Sequence, residues 1–94
     1  MPGVKNLPAQ QRADLTVRLK RIEGQARGIQ KMLDDDRECI EVMNQIASMK
    51  AAINSLSGEM LEAFALHCLR NPDQFESPER AVEQAVQALV RGSR

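Results

Sequence analysis

From Arg37 to Asn71 the chain runs 35 residues without a proline, and the pattern stays helical throughout. One α-helix of that length spans ~52 Å, at about 1.5 Å per residue. A compact globule of 94 residues has a radius of gyration of only ~12 Å. The rest of so short a chain cannot wrap such a helix. Its apolar residues Met43, Ile46, Ile53, Leu56, Met60 and Phe64 therefore need a second chain. The sequence predicts an obligate oligomer, a dimer built on this helix.

Two shorter helices flank it. Leu15, Leu19, Ile22, Ala26, Ile29 and Leu33 form one apolar stripe, which predicts a helix over 12–33. Asp35 and Glu38 have capping-box spacing, which predicts that the long helix covers 36–71 and stops at Asn71-Pro72. Ser77-Pro78-Glu79 is a helix start, and Val82, Ala85, Val86 and Leu89 follow it, predicting a helix over 78–91. No strand pattern appears. The expectation is all-α: an N-terminal tail at 1–11 and one helical domain at 12–92.

Composition narrows the function. Two Phe are the only aromatics, so aliphatic side chains must build the core. No leader-like pattern and no apolar run of ~20 residues is present, so a soluble cytoplasmic protein without a membrane role is expected. The net charge is zero but uneven. Residues 1–31 carry seven Lys/Arg against two acidic residues, and the remainder carries six against eleven. That asymmetry points the first helix toward an anionic partner; the bland alternative is a solvated face. Arg18, Arg21 and Gln25 share one flank of it, while Lys20, Arg27 and Lys31 share the far side. Gly24 and Gly28 make a smooth face suited to another helix or a phosphate backbone. Rows of this kind contact phosphates and base edges of duplex DNA. No aromatic platform for single strands accompanies them.

The two cysteines give the chemistry. At about 100° per residue, Cys68 falls about 20° from Cys39 around the helix, yet ~43 Å along it. A disulfide needs Cα atoms within ~7 Å. The pair cannot meet inside one chain. In an antiparallel dimer, Cys39 of one subunit faces Cys68 of the other, with the twofold axis near Ile53 and Asn54, giving two equivalent sites. His67, the only histidine, is about 100° away from Cys68 and does not share its face. A helical ligand partner for Cys68 belongs one turn earlier, where Phe64 stands. Cys39 lies near a helix start, where the dipole favours thiolate, although acidic neighbours oppose it. Cys39 is therefore expected to attack and Cys68 to resolve. The alternative is a pair of buried cysteines acting as small hydrophobes.

"LTVRLKRIEGQARGIQKML" followed by "CIEVMNQIASMKAAINSLSGEML" resembles the CsoR/RcnR family of bacterial repressors, over about residues 12–89. The resemblance implies three-helix subunits paired through antiparallel second helices and assembled as a dimer of dimers. It implies repression of an operon and release of operator DNA on sensing. Copper(I) sensors of the family resemble one another in a Cys…His-x-x-x-Cys set; Cys39 and Cys68 match its cysteines, but Phe64 replaces the histidine. Nickel and cobalt sensors use more histidines. Formaldehyde sensors use an N-terminal proline and the first cysteine, here Pro2 and Cys39, usually with a histidine where Phe64 stands. Persulfide sensors, the CsoR-like sulfurtransferase repressors, keep only the two cysteines. This chain is most similar to that branch.

The sequence therefore predicts a homotetrameric repressor that binds operator DNA through Arg18, Lys20, Arg21, Gln25, Arg27 and Lys50. Its sensing thiols are Cys39 and Cys68, its signal is reactive sulfur, and no metal or cofactor is expected. The alternatives are copper(I) on Cys39 and Cys68, or formaldehyde on Pro2 and Cys39. A thiol enzyme carrying sulfane sulfur is the contrasting class, but no general base stands near either cysteine, so an enzyme is not expected.

Overall fold

A computed structural model describes residues 2–92. It contains α1 (Ala9–Asp34), α2 (Cys39–Arg70) and α3 (Pro78–Gly92), with short 3-10 turns at Val4–Asn6 and Pro72–Gln74. No strand occurs among the described residues. The all-α, three-helix expectation holds.

The boundaries move, each for a local reason. α1 starts at Ala9 rather than at Arg12, because Pro8 in an extended conformation serves as its N-cap. The expected tail is partly built: it carries the Val4–Asn6 turn and buries Leu7. The capping box does not form. Asp35 is instead the C-cap of α1, and Glu38, the N-cap of α2, makes no side-chain capping bond. Asp36 takes φ 55°, the left-handed position usually held by glycine. Arg37 N donates to Met32 O at 3.1 Å and Asp36 N to Leu33 O at 3.4 Å, which together make a Schellman motif. This stop turns α1 back along α2 without a glycine. At α3 the expectation holds: Arg80 N donates to Ser77 Oγ at 3.2 Å.

The three helices form a thin slab of 55 × 28 × 14 Å with a radius of gyration of 16.7 Å. The least dimension is little more than one helix diameter. Among the described residues, only Leu7, Ile22, Ala63, Cys68 and Ala81 are buried and apolar, while Ile40, Met43, Ile46 and Ile53 stand exposed. The slab exposes 7199 Å² for 10.5 kDa. A folded monomer of that mass exposes about 5400 Å². The bare apolar stripe of α2 runs along its N-terminal half, and Leu69 is exposed in its last turn. Met60 and Phe64 are half-buried within the chain and line a groove with Ala81, Ala85 and Leu89 of α3. These two are less open than Met43, Ile46 and Ile53.

Candidate thiol site and basic helix

Cys39 is the first residue of α2 and is exposed; Cys68, near its other end, has no exposed surface. The two thiols share a stripe by helical phase but stand in opposite surroundings. Burial pushes the Cys68 thiol above its ordinary range, and a backbone hydrogen bond offsets part of that. Their separation along α2, 29 residues at about 1.5 Å each, keeps them apart within one chain.

His67 is buried and fully engaged. Its Nε2 lies 2.9 Å from Gln74 Oε1, and its Nδ1 lies 3.3 Å from Asn71 Nδ2. The Asn71 amide also donates to the His67 carbonyl at 3.1 Å. A neutral imidazole with its proton on Nε2 satisfies both neighbours, donating to Gln74 and accepting from Asn71. Phe75 closes the cluster edge-on, with ring centroids 6.1 Å from both Phe64 and His67. The position one turn before Cys68 is thus held by an aromatic contact, and both nitrogens of the only histidine are used. Sequence reasoning separated His67 from Cys68 but missed its clasp. The available signals were Asn71 four residues after His67 and Phe75 as the only other aromatic.

Among the described residues, no group of three or more His, Cys, Asp or Glu side chains gathers to hold a metal ion. Nor is any helix long and apolar enough to cross a membrane. Pro2 lines the α2–α3 groove beside Phe64, at the opposite end of α2 from Cys39 of the same chain.

The basic residues divide into two groups. Arg18 reaches α2, where its guanidinium meets Ser55 Oγ at 2.9 Å and Glu59 Oε2 at 2.5 Å. Gln25 Nε2 donates to Ser48 Oγ at 3.4 Å. Arg27 pairs with Glu23 along its own helix at 2.6 Å. Lys20, Arg21 and Lys50 are exposed and make no ion pair among the described residues. The flank that the sequence grouped as Arg18, Arg21 and Gln25 is therefore split: two members tie α1 to α2 and one faces water. Gly24 and Gly28 are open, since a Cβ added at either meets nothing within 4 Å. Lys50 stands apart from the α1 residues. It shares the bare α2 stripe with Ile46 and Ile53, well around the helix from Ser48 and Ser55, which meet α1.

The chain is similar to known proteins over nearly its whole length. The family model "metal-sensitive transcriptional repressor" matches residues 11–91. The copper-sensing transcriptional repressor CsoR of Bacillus subtilis is 37% identical over 83 residues, covering 88% of this chain and 82% of that one. The copper-sensing transcriptional repressor RicR of Mycobacterium tuberculosis is 38% identical over 60 residues, covering 64% and 62%. Among solved structures, the copper-sensing repressor CsoR with Cu(I) from Geobacillus thermodenitrificans superposes with TM-score 0.77 at 31% identity, covering all of this chain and 94% of that one. The nickel-responsive transcriptional regulator InrS superposes with TM-score 0.67 at 29% identity, covering 84% and 89%.

Proposed function

The chain belongs to the metal-sensitive transcriptional repressor family, and on that premise we propose that it is a DNA-binding repressor whose signal is reactive sulfur. Cys39 of one subunit and Cys68 of its antiparallel partner are the sensing thiols. The observation that carries this reading is the state of the would-be third ligand. Phe64 occupies that position in contact with Phe75, and His67 has both nitrogens engaged. What remains is a dithiol, and a dithiol suits sulfur exchange better than three-coordinate metal binding.

The step balances with the persulfide as the oxidant. The Cys39 thiolate attacks the terminal sulfur of a hydropersulfide, R–S–S–H. The S–S bond of the donor breaks, R–S⁻ leaves, and Cys39 becomes a persulfide. The Cys68 thiolate of the partner then attacks the inner sulfur of Cys39, and HS⁻ leaves. The product is a disulfide across the dimer. Each dimer carries two such sites, so a tetramer built as a dimer of dimers carries four. Operator DNA binds on the α1 face through Lys20 and Arg21, joined by Arg27 and, once released from α2, Arg18 and Gln25; Lys50, on the bare α2 stripe, lies outside that face. Crosslinking changes how subunits sit and takes these charges out of register with the phosphates.

The test is to treat the reduced protein with a persulfide donor and weigh it without reductant while following operator binding. Covalent dimers, together with DNA release, are expected; no covalent dimer would remove the proposal. Copper(I) on the same two thiolates is the second reading, favoured by the copper-sensing relatives. Competition against a copper(I) chelator decides it: tight binding coupled to DNA release supports copper, while weak binding supports sulfur.

A further inference from the structure

Cys68 has no exposed surface within a single chain, although its proposed task is to meet a thiol from another. At that end of α2 the chain returns on itself through the Pro72–Gln74 turn, Phe75 and the start of α3, where Ala81 is buried. This segment is fastened to α2 around His67, where Asn71 holds Nδ1 at 3.3 Å and the carbonyl at 3.1 Å. Gln74 holds the His67 ring at 2.9 Å, and Phe75 sits edge-on to both Phe64 and His67. These two α2 residues flank Cys68, one turn before it and immediately before it. Two backbone hydrogen bonds close the turn, Gln74 N to Asn71 O at 3.1 Å and Phe75 N to Pro72 O at 3.2 Å, and Pro72, Asp73 and Gln74 are exposed.

We propose that the segment from Asn71 to Ala81 is a gate over Cys68, latched by His67 and Gln74 and packed by Phe75, which sets the order in which the two thiols react. Cys39 stands open and meets the sulfur donor first. Cys68 reacts only after the turn releases, so the second step proceeds with a thiol delivered by the partner subunit rather than with any small oxidant in solution. Gln74 and Phe75 are positioning residues, acting through the cover and not on the sulfur. The order of reaction rests on the sulfur-sensing proposal, but the gate itself does not.

Site-resolved alkylation tests it. The full-length reduced protein is treated with iodoacetamide, and each cysteine is followed by peptide mass spectrometry. Cys39 is expected to label at least about tenfold faster than Cys68, which reacts only through local opening. Gln74→Ala removes one hydrogen bond from the latch and should speed Cys68 roughly fivefold, leaving Cys39 unchanged. Gln74→Glu keeps an acceptor for the His67 N–H and should restore the slow rate. Phe75→Ala should speed Cys68 further, with helix content monitored to exclude unfolding. Equal labelling of both cysteines in the unmodified protein would overturn the gate. So would a Cys68 rate that neither Gln74→Ala nor Phe75→Ala changes. None of these readouts involves persulfide or DNA, so failure of the gate and failure of the sulfur proposal are separately visible.

Discussion

Arg18 on α1 is joined to Glu59 on α2, and the same guanidinium holds Ser55. A residue that the sequence marks for DNA is therefore also a strut of the helical hairpin. Arg21, three residues on, is exposed and unpaired among the described residues. The two arginines should separate in experiment. Arg18→Ala is expected to lower stability by about 0.5–1 kcal/mol, a modest figure because the pair is partly solvated. Arg21→Ala should leave stability within about 0.5 kcal/mol. It should weaken operator binding and reduce the salt slope by about one for each lost phosphate contact. Urea unfolding and salt-dependent DNA titration of both variants check this.

Gly24 and Gly28 bear on the same face. Each sits inside α1, where glycine costs roughly 0.5–1 kcal/mol relative to alanine. Nothing in the chain requires either, because a Cβ there meets open space. Gly24→Ala and Gly28→Ala should therefore raise the unfolding midpoint. On the proposed DNA face they should also weaken operator binding, because the added methyl groups hold the phosphate backbone off. Greater stability with unchanged DNA affinity would place the contact elsewhere on α1.

Burial of Cys68 has a consequence in pH. Its folded pKa is raised by desolvation, so the unfolded chain loses this proton first. Between the ordinary thiol value and the folded one, the native state holds more protons, and stability falls as pH rises. Below the ordinary thiol range, at about 8.5, the effect vanishes. Urea midpoints under reducing conditions should decline as pH rises above about 8.5, and Cys68→Ala should flatten that part of the decline. An equal decline in both proteins would show that Cys68 is not the group responsible.

The parts of this molecule that were legible in the sequence are those written in periodicity. Leu15, Ile22 and Ile29 mark the inner face of α1, and the Ser77-Pro78 start of α3 caps as expected. The α1–α2 turn was misread because Asp35 and Glu38 have capping-box spacing, whereas the backbone uses Asp36 at positive φ to close α1. Two adjacent acidic signals compete there, and spacing alone does not choose between ending one helix and starting the next. The clasp at His67 was illegible for a different reason. Its partners Gln74 and Phe75 lie in an irregular turn, which has no period to read. Arg18 was legible as a cation but not as a partner of Glu59, since pairing 41 residues apart depends on the register of the hairpin.

The bare half of α2 supplies the last prediction. Ile46 and Ile53 are each 41% exposed, and Met43 and Ile40 more so. In an isolated chain, Ile53→Glu replaces a half-solvated side chain and should change stability by less than about 0.5 kcal/mol. In an antiparallel dimer with its twofold axis near Ile53, the same change buries two carboxylates close together. Neither has a partner, and each loses much of its hydration. The variant should therefore sediment near the 10.5 kDa monomer, or unfold if the slab cannot stand alone, while the unmodified chain sediments as an oligomer. Unchanged sedimentation of a folded Ile53→Glu protein would move the dimer axis off this stripe. Cys39 would then lose its route to the partner's Cys68, because that route depends on the two α2 helices crossing at Ile53.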